Sequence, residues 1–383
     1  MILRTAGAPS VPPDTLTVGD CLPVLARLAG EPAVAGRVRL AYLDPPFNTG
    51  ERSRGYEDHR PAADWRAFMA GRLAATWALL APRGSLWVQA DDAEQATLRV
   101  LMDDLFGRRS YVSTVVWQRR YSRENRRAFS PSHDYLHVYA PAGADWRHHR
   151  NRLERRDADG TWRNPDADSR GPWSTVSLVA QGGHGTKDQF FAITLPSGRV
   201  VAPPAGSCWR VTATRFAQLR EDGVIWCGAD GDNVPRRKVF RAEAKGLVPS
   251  TWWPHAEVGH NAEANGEQRR LHGAVAPFST PKPERLMARI VAIATDPGDL
   301  VLDPFLGSGT TAAVAHKLGR RWHGVELDPA IVARFAEPRL RAVVAGEDPG
   351  GVTAAAGWGG GGGFVVAAGD ESAAPPGLAR ASA

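Results

Sequence analysis

The chain has 383 residues, 43% of them hydrophobic, and a formal net charge of +6, which suits one large or two modest globular domains. The charge fits a polyanionic partner without proving one, because Arg supplies nearly all of it and an Arg excess also follows from GC-rich coding. Scattered cysteines, no metal-ligand spacing, no signal peptide and no apolar run near the ~20 residues of a membrane span exclude secreted disulfide scaffolds and membrane proteins. We therefore expect a cytoplasmic protein that binds neither a metal nor a membrane.

The first α/β segment spans residues 14–140 and follows a loose, Pro-containing leader, residues 1–13. Helically spaced apolar residues and short apolar runs that stop at turn residues predict alternating helices and strands. In chain order, the predicted elements are a strand at 15–18, a helix at 21–29, a strand at 38–43, a helix at 62–81, a strand at 85–89, a helix at 92–105 and strands at 112–117 and 135–139.

The middle of the chain, residues 141–275, is rich in Trp, Gly, Pro and charged residues and has no regular period, which predicts a less regular inserted domain. A second α/β segment, residues 276–342, has a strand at 300–303, a Gly-rich turn, a helix from about 309 and a strand at 322–327. Residues 343–383 are rich in Gly and Ala, with five consecutive glycines at 359–363, and we expect this tail to be disordered.

Asp44, Pro45, Pro46 and Phe47 directly follow an apolar strand. Two prolines cannot continue a strand ladder, so they favour a rigid loop with fixed side chains and carbonyls. The Asp44 carboxylate and the Pro45 carbonyl can accept both N–H groups of a base amine, and Phe47 can stack on an extruded base. The alternative interpretation is an ordinary Pro-rich turn, and the Asn-Thr-Gly sequence that follows argues against it.

A second motif lies where the strand at 300–303 meets a helix, and its glycines permit a tight turn and close approach of a ligand. The free N–H groups and positive dipole of the helix start would suit a carboxylate. The Gly-x-Gly spacing is neither a dinucleotide motif nor a P-loop. The residues predicted to bind a cofactor here are Asp303, Pro304, Phe305, Gly307, Ser308, Gly309 and Thr310.

Further cofactor contacts are predicted near the ends of other elements. Glu326 and Leu327 end the next strand, where an acidic side chain can accept hydrogen bonds from ribose hydroxyls, although an ordinary surface Glu is the alternative. Thr280 and Lys282 precede a helix and could reach a cofactor carboxylate or form a plain helix cap. Asp20 and Cys21 follow the first strand, where Asp20 is either an adenine contact or an N-cap.

Residues 119–127, in a predicted loop between two strands, hold five Arg and one Glu. Such a run suits contacts with DNA phosphates, and a solvated charged loop is the alternative. The predicted DNA-binding residues are Arg119, Arg120, Arg123, Arg126 and Arg127.

Together these residues resemble the β class of DNA amino-methyltransferases, whose catalytic motif is D/S/N-P-P-Y/F and whose cofactor motif is F-x-G-x-G. The catalytic motif precedes the cofactor motif here, as in that class, and the resemblance covers residues 14–341. Modification (Mod) subunits of type III restriction systems are more similar still, as judged by five stretches. These are DPPFNTG (44–50), ITLPSGRV (193–200), PPAGSCWR (203–210), TWWPHAEVGHN (251–261) and PKPERL (281–286).

The resemblance implies a permuted S-adenosylmethionine-dependent methyltransferase fold. Its doubly wound, mostly parallel sheet would have seven strands, one of them antiparallel and drawn from the pair at 112–117 and 135–139, with a target-recognition insert. It implies S-adenosyl-L-methionine as cofactor and double-stranded DNA as substrate, with a homodimer and a restriction subunit as further partners to consider. Two departures are Leu306, where Ala is usual, and a chain shorter than typical type III subunits, which puts the restriction partner in doubt.

The expected activity is methylation of adenine N6 in a flipped-out base, because Asp in the first motif position favours adenine. Three alternatives remain open: methylation of cytosine N4, methylation of RNA or a protein amide, and a DNA-binding module that has lost activity. The basic insert argues against the second alternative, and the intact motif residues Asp44, Gly307, Gly309 and Glu326 argue against the third.

Overall fold

A computed structural model describes residues 14–48, 61–125, 128–153, 162–244, 246–273 and 278–369. The chain divides into two compact units. The first combines Met1–Asn151 with Pro249–Ala383, and the second is Arg152–Val248. None of the helices in the described ranges is long and apolar enough to cross a membrane. The leader, residues 1–13, lies outside the described residues.

The β-strands of the described residues are β1 (Asp14–Val18), β2 (Val38–Leu43), β3 (Leu80–Ala90), β4 (Tyr111–Gln118), β5 (His133–Tyr139), β6 (Trp173–Ser177), β7 (Val179–Gln181), β8 (Ile193–Thr194), β9 (Val200–Val201), β10 (Ser207–Trp209), β11 (Ile225–Trp226), β12 (Arg236–Phe240), β13 (Trp252–Trp253), β14 (Leu300–Asp303), β15 (Arg321–Glu326) and β16 (Phe364–Ala368).

The α-helices are α1 (Cys21–Leu28), α2 (Ala62–Ala78), α3 (Gln95–Phe106), α4 (Ala213–Glu221), α5 (His255–Val258), α6 (Asn261–His272), α7 (Glu284–Ala294), α8 (Thr310–Lys317), α9 (Pro329–Ile331), α10 (Glu337–Ala345) and α11 (Thr353–Ala356). A π-helical turn, Val332–Ala336, joins α9 to α10.

The central sheet has the strand order β13-β4-β5-β3-β2-β14-β15-β1-β16. Among these described strands, only β5 runs antiparallel to its neighbours β3 and β4, and all other adjacent pairs are parallel. The mostly parallel α/β architecture is confirmed, but the sheet has nine strands where seven were expected. The seven inner strands match the expectation, and the additional strands are β13 and β16 at the two edges.

Helices cover the sheet on both sides, as a doubly wound fold requires. Residues of α1, α2 and α3 form one apolar core with β2 and β3. Outside that core, α7 and α8 pack against each other, α7 contacts β2, and α8 contacts β14 and β15. Because strands β2 and β14 have helices on both faces, they are almost continuously apolar.

The second unit has its own apolar core, which includes Trp209, Phe216 and Ile193. Its strands form three small antiparallel sheets, β11-β12-β6, β7-β10 and β8-β9, and helix α4 contributes Phe216 to the core. The inserted domain was predicted at 141–275, but the compact unit is narrower, because β13, α5 and α6 belong to the first unit. Strand β13 pairs with β4 in the central sheet, which explains the difference.

The expectation of a disordered tail is wrong over 343–369. Strand β16 pairs in parallel with β1 over five residues, and Gly361 N–H donates to the carbonyl of Val344 at 2.8 Å. The glycines at 360–362 have φ values of 99°, 120° and 73°, which side chains rarely adopt, so the Gly run forms a specific turn here. Residues 370–383 lie outside the described residues.

Candidate active site at the carboxyl edge of the sheet

Four neighbouring parallel strands bring the predicted acidic residues to one edge. Asp44 follows β2, Asp303 ends β14, Glu326 ends β15 and Asp20 lies two residues after β1. These strands are adjacent in the order β2-β14-β15-β1. In such sheets ligands bind beyond the carboxyl ends of the strands, so the residues proposed for catalysis and for cofactor binding share one site.

The two oxygens of the Asp44 carboxylate lie in different environments. Oδ2 accepts a hydrogen bond from the ammonium of Lys282, whose Nζ also lies 5.8 Å from the centre of the Phe47 ring. Oδ1 is buried and has no hydrogen-bond partner among the described residues. A buried acceptor without a partner costs free energy, and in a functional site it marks a position for a ligand donor.

The loop that carries Asp44 is held from several sides. Trp65 Nε1 donates to the carbonyl of Pro46 at 3.0 Å. Asn48 has a φ of 58° and donates to Glu94 Oε1 at 2.8 Å. Pro45 is buried and Phe47 is half-buried. These contacts agree with the rigid loop predicted from two consecutive prolines, although Thr49 and Gly50 lie outside the described residues.

A buried polar network that sequence reasoning missed lies beneath this loop. Tyr42 OH donates to Gln89 Oε1 at 2.6 Å, and Gln89 Nε2 donates to Asp134 Oδ2 at 2.8 Å. Burial raises the pKa of Asp134 to about 6, although the charges of Arg119 and Lys282 oppose the shift. The sequence signal for this network is that Tyr42, Gln89 and Asp134 each occupy a core-facing position of a strand, β2, β3 and β5.

The cofactor motif forms a compact turn after β14. Gly307 and Gly309 have φ values of 54° and 81°, in the left-handed region that favours glycine. A Cβ at Gly307 would lie 3.3 Å from the Phe278 ring. Asp303 Oδ1 accepts from the N–H of Phe305 at 2.9 Å. Burial raises the pKa of Asp303 to about 7, against the hydrogen bonds from Thr311 and the Phe305 amide, and the charges of Asp44 and Glu326 raise it further.

Glu326 lies beside the same turn. Its Oε2 accepts from the N–H of Gly307 at 2.8 Å and its Oε1 from the N–H of Asp328 at 2.9 Å. The side chain is buried, so the alternative of an ordinary surface Glu is wrong. Leu327, in contrast, is exposed.

The remaining motif residues pack against the rest of the first unit. Pro304 is buried and Phe305 lies 6.3 Å from the Phe68 ring. Ser308 Oγ and Thr310 Oγ1 are 3.4 Å apart, and Arg339 donates to Thr310 at 2.8 Å.

Asp20 has two structural roles. It caps α1 by accepting from the N–H of Leu22 at 2.9 Å, and both of its oxygens accept from Arg72, at 2.8 and 2.9 Å. Arg72 also lies 3.7 Å over the Phe68 ring. Burial raises the pKa of the neighbouring Cys21 thiol to about 12, so this cysteine is not a nucleophile. The sequence analysis missed Arg72 because nothing in the pattern of helix α2 separates it from Asp64 and Arg66, the other charged residues of that helix.

The residues upstream of α7 divide between two places. Lys282 is buried against Asp44, whereas Thr280 is exposed. The alternative of a plain helix cap gains no support, because Pro283 is the N-cap of α7 and provides no side-chain hydrogen bond.

The basic loop after β4 is not uniform. Arg119 lies with its Nε 3.0 Å from Asp134 Oδ1, so it belongs to the buried network. Arg120 and Arg123 are exposed, whereas Arg126 and Arg127 lie outside the described residues. Of the arginines predicted to contact DNA phosphates, Arg120 and Arg123 are therefore the ones that are both described by the structure and exposed to solvent.

The family model described as "DNA methylase", for N6 and N4 methyltransferases, matches residues 38–337. Two curated relatives are each 29% identical to this chain. The alignment with the Mod subunit of the type III enzyme StyLTI from Salmonella typhimurium covers 77% of this chain and 48% of the relative. The alignment with the type II methyltransferase M.EcaI from Enterobacter cloacae covers 76% of this chain and 62% of the relative. The chain thus spans about half to three fifths of the length of these relatives.

Among solved structures, TTHA0409 from Thermus thermophilus, described as a candidate DNA modification methylase and solved with S-adenosyl-L-methionine, aligns at 19% identity. The alignment covers 92% of this chain and 99% of that one, with a TM-score of 0.44. The family match covers most of the chain and contains both motifs. The chain therefore belongs to the N6/N4 DNA methylase family.

Proposed function

We propose that this chain transfers a methyl group from S-adenosyl-L-methionine to N6 of an adenine in double-stranded DNA, at a specific sequence. One observation carries the proposal. At the edge where the two family motifs meet, Asp44 keeps one carboxylate oxygen buried and without a donor among the described residues, while Lys282 holds the other. A base amine supplies the donor that this oxygen lacks.

The cofactor would occupy the turn after β14. Gly307 and Gly309 permit backbone approach there, Glu326 can accept hydrogen bonds from ribose hydroxyls, and the start of α8 offers free N–H groups. When bound, the cofactor supplies an electrophilic sulfonium methyl group. The DNA methylase family and the fit of these residues support this assignment.

The residues of the loop after β2 would activate the base. Asp44 Oδ1 and the Pro45 carbonyl accept the two N6 hydrogens, which draws the nitrogen lone pair out of the ring. Phe47 stacks on the extruded base. These residues would hold N6 in line with the methyl group that the bound cofactor supplies, and N6 would take up that methyl group in exchange for one proton, which passes to solvent. Positioning and fixed electrostatics provide the rate gain, and no covalent enzyme intermediate is needed.

Adenine is proposed as the base because Asp44 stands first in the catalytic motif. The family model covers N4 methylation too, so cytosine N4 is the second candidate. The names of the relatives also support a setting in restriction and modification of DNA, either with a nuclease partner or alone.

The proposal is tested by transfer of a labelled methyl group from S-adenosyl-L-methionine to unmethylated duplex DNA. We expect transfer by the wild type and a loss of about 10²- to 10³-fold or more in Asp44→Ala, the range for removal of a preorganised polar group. Asp145→Ala removes an exposed carboxylate in the same unit and should keep full activity. No transfer by a wild type that binds both cofactor and DNA would refute the proposal.

A further inference from the structure

Three aromatic rings pack together with nearly parallel planes beyond the carboxyl ends of β4 and β13. The Tyr121 ring lies 5.6 Å from His255 and 5.1 Å from His260, with interplanar angles of 29° and 28°. His255 and His260 are 5.5 Å apart at 15°. Tyr121 is 64% exposed, so one face of this stack, which we call the ring stack, is open to solvent.

The two histidines are held in place by the first unit. His255 Nδ1 lies 2.9 Å from Gln118 Oε1, and His260 Nδ1 accepts from the N–H of Glu263 at 3.2 Å, which caps α6. The main chain on either side is also fixed, because Asn261 N–H donates to the Arg119 carbonyl at 3.1 Å. The ring stack is therefore supported from below, and an exposed ring needs such support to act as a platform.

The histidines come from the stretch TWWPHAEVGHN, which the proposed chemistry does not use. Their spacing of five residues does not match the i, i+4 spacing of a helical zinc-binding pair. Within the described ranges, no group of three or more His, Cys, Asp or Glu side chains is arranged to hold a metal. Nearly parallel rings instead form an arrangement on which a further aromatic ring can stack.

The ring stack lies at the same edge as Asp44. Strands β4 and β13 are parallel to β2 in the sheet, so their carboxyl ends, which lead to Tyr121 and to His255, lie at the edge where Asp44 follows β2. Arg119, two residues before Tyr121, contacts Asp134, and the charge of Asp44 acts on that same carboxyl. Arg120 and Arg123 flank Tyr121 and are exposed, which places positive charge beside the open ring.

We propose that the ring stack is a base-stacking platform, on which Tyr121 receives a base of the DNA that adjoins the target adenine. The inference rests on the proposed function, because extrusion of a base leaves its neighbour without a stacking partner. The Tyr121 ring, which packs on His255 and His260, can stack on any base and so replaces the lost stacking partner. Arg120 and Arg123 contact the phosphates of the DNA backbone. The ring stack thus contributes to DNA affinity and not to the chemical step.

The test compares Tyr121→Ala with Tyr121→Phe, and Arg123→Gln serves as the matched phosphate-contact variant. Equilibrium binding to duplex DNA is measured over a range of salt concentrations, alongside cofactor affinity and thermal unfolding. Tyr121→Ala should weaken DNA binding by about 5- to 100-fold, the value of one stacked base, with an unchanged salt slope. Tyr121→Phe keeps the ring and should bind like the wild type. Arg123→Gln should lower the salt slope by about one.

Cofactor affinity and unfolding temperature should stay at wild-type values in both Tyr121 variants, because the side chain is exposed. Wild-type DNA binding by Tyr121→Ala would overturn the inference and leave the proposed function intact. An equal loss in Tyr121→Phe would assign the effect to the hydroxyl, and a changed salt slope in Tyr121→Ala would assign it to phosphate contacts, so either result overturns the platform. A wild type that does not bind DNA would refute the proposed function itself.

Discussion

Lys282 donates a hydrogen bond from its ammonium group to the carboxylate of Asp44, across a sequence separation of 238 residues. The contact joins the segment before α7 to the loop after β2. It fixes one oxygen of Asp44 and leaves the other without a donor in the described part of the chain. We therefore propose that Lys282 positions Asp44, whereas the motif alone suggested that Lys282 binds the cofactor carboxylate.

Replacement of Lys282 by Met keeps the length of the side chain and removes its charge. We predict a fall of about 10²-fold in kcat, the cost of misplacing a catalytic group, with the Kd for S-adenosyl-L-methionine within a few-fold of the wild type. Single-turnover kinetics and cofactor titration measure the two quantities. Lys282→Arg should restore part of the rate. A large rise in the cofactor Kd with an unchanged kcat would instead support the cofactor-carboxylate role.

Gly307→Ala should impair cofactor binding. The residue has a φ of 54°, and its added Cβ would lie 3.3 Å from Phe278. Gly319 is the matched control, because it has a φ of 69° but nothing within 4 Å of its added Cβ. Both Ala variants carry the backbone strain, so we predict similar losses of stability of about 1 kcal/mol. Only Gly307→Ala should weaken cofactor binding, by about tenfold or more in calorimetry. Equal cofactor affinities would contradict the assigned site.

Asp303→Asn should change how stability depends on pH. Burial raises the pKa of Asp303 to about 7, above its value in the unfolded chain. The folded state therefore binds more protons between about pH 4 and 7, and this carboxyl lowers the free energy of unfolding as the pH rises through that window. Asn cannot titrate and still accepts from the Phe305 N–H.

The measurement is chemical unfolding at pH 5 and pH 8 without added cofactor. The stability of Asp303→Asn relative to the wild type should rise by about 2–3 kcal/mol between these pH values. A constant difference between Asp303→Asn and the wild type would contradict the raised pKa.

Lys317→Met should destabilise the first unit strongly. Lys317 is fully buried and donates to Glu284 at 2.8 and 2.9 Å and to Asp348 at 2.7 Å. Its removal leaves two carboxylates buried with one cation fewer, which costs about 3–5 kcal/mol. Arg341→Met breaks an exposed pair with Glu337 and should cost less than about 1 kcal/mol. Thermal unfolding compares the two variants, and similar losses would show that burial of the pair is not decisive.

The elements of both α/β segments follow from local patterns, and so does the edge at which the motifs meet. Apolar runs that stop at Asp44 and at Asp303 predicted β2 and β14 with the observed boundaries. The acidic residues converge because parallel strands align their carboxyl ends. A local sequence pattern is enough to predict these strand ends and the acidic residues beside them, because a residue at the end of a parallel strand lies at the carboxyl edge of the sheet.

Other features depend on partners that are remote in sequence, and local patterns could not predict them. Composition indicated a disordered tail, but β16 is stabilised by pairing with β1 about 350 residues earlier, a contact that composition does not record. Gly346 and Gly359 approach so closely that a Cβ at Gly346 would lie 2.5 Å from the Gly359 carbonyl, so these glycines serve packing. The inward turn of Arg119 likewise depends on Asp134, in the next strand.

The identity of the methylated base decides between the two candidate reactions. Unmethylated duplex DNA is incubated with S-adenosyl-L-methionine and either the wild type or Asp44→Ala, then digested to nucleosides and quantified by mass spectrometry. We predict N6-methyladenine from the wild type and at least about 100-fold less from Asp44→Ala. N4-methylcytosine would keep the mechanism and contradict the base, and the absence of any methylated base from a protein that binds cofactor and DNA would contradict the activity.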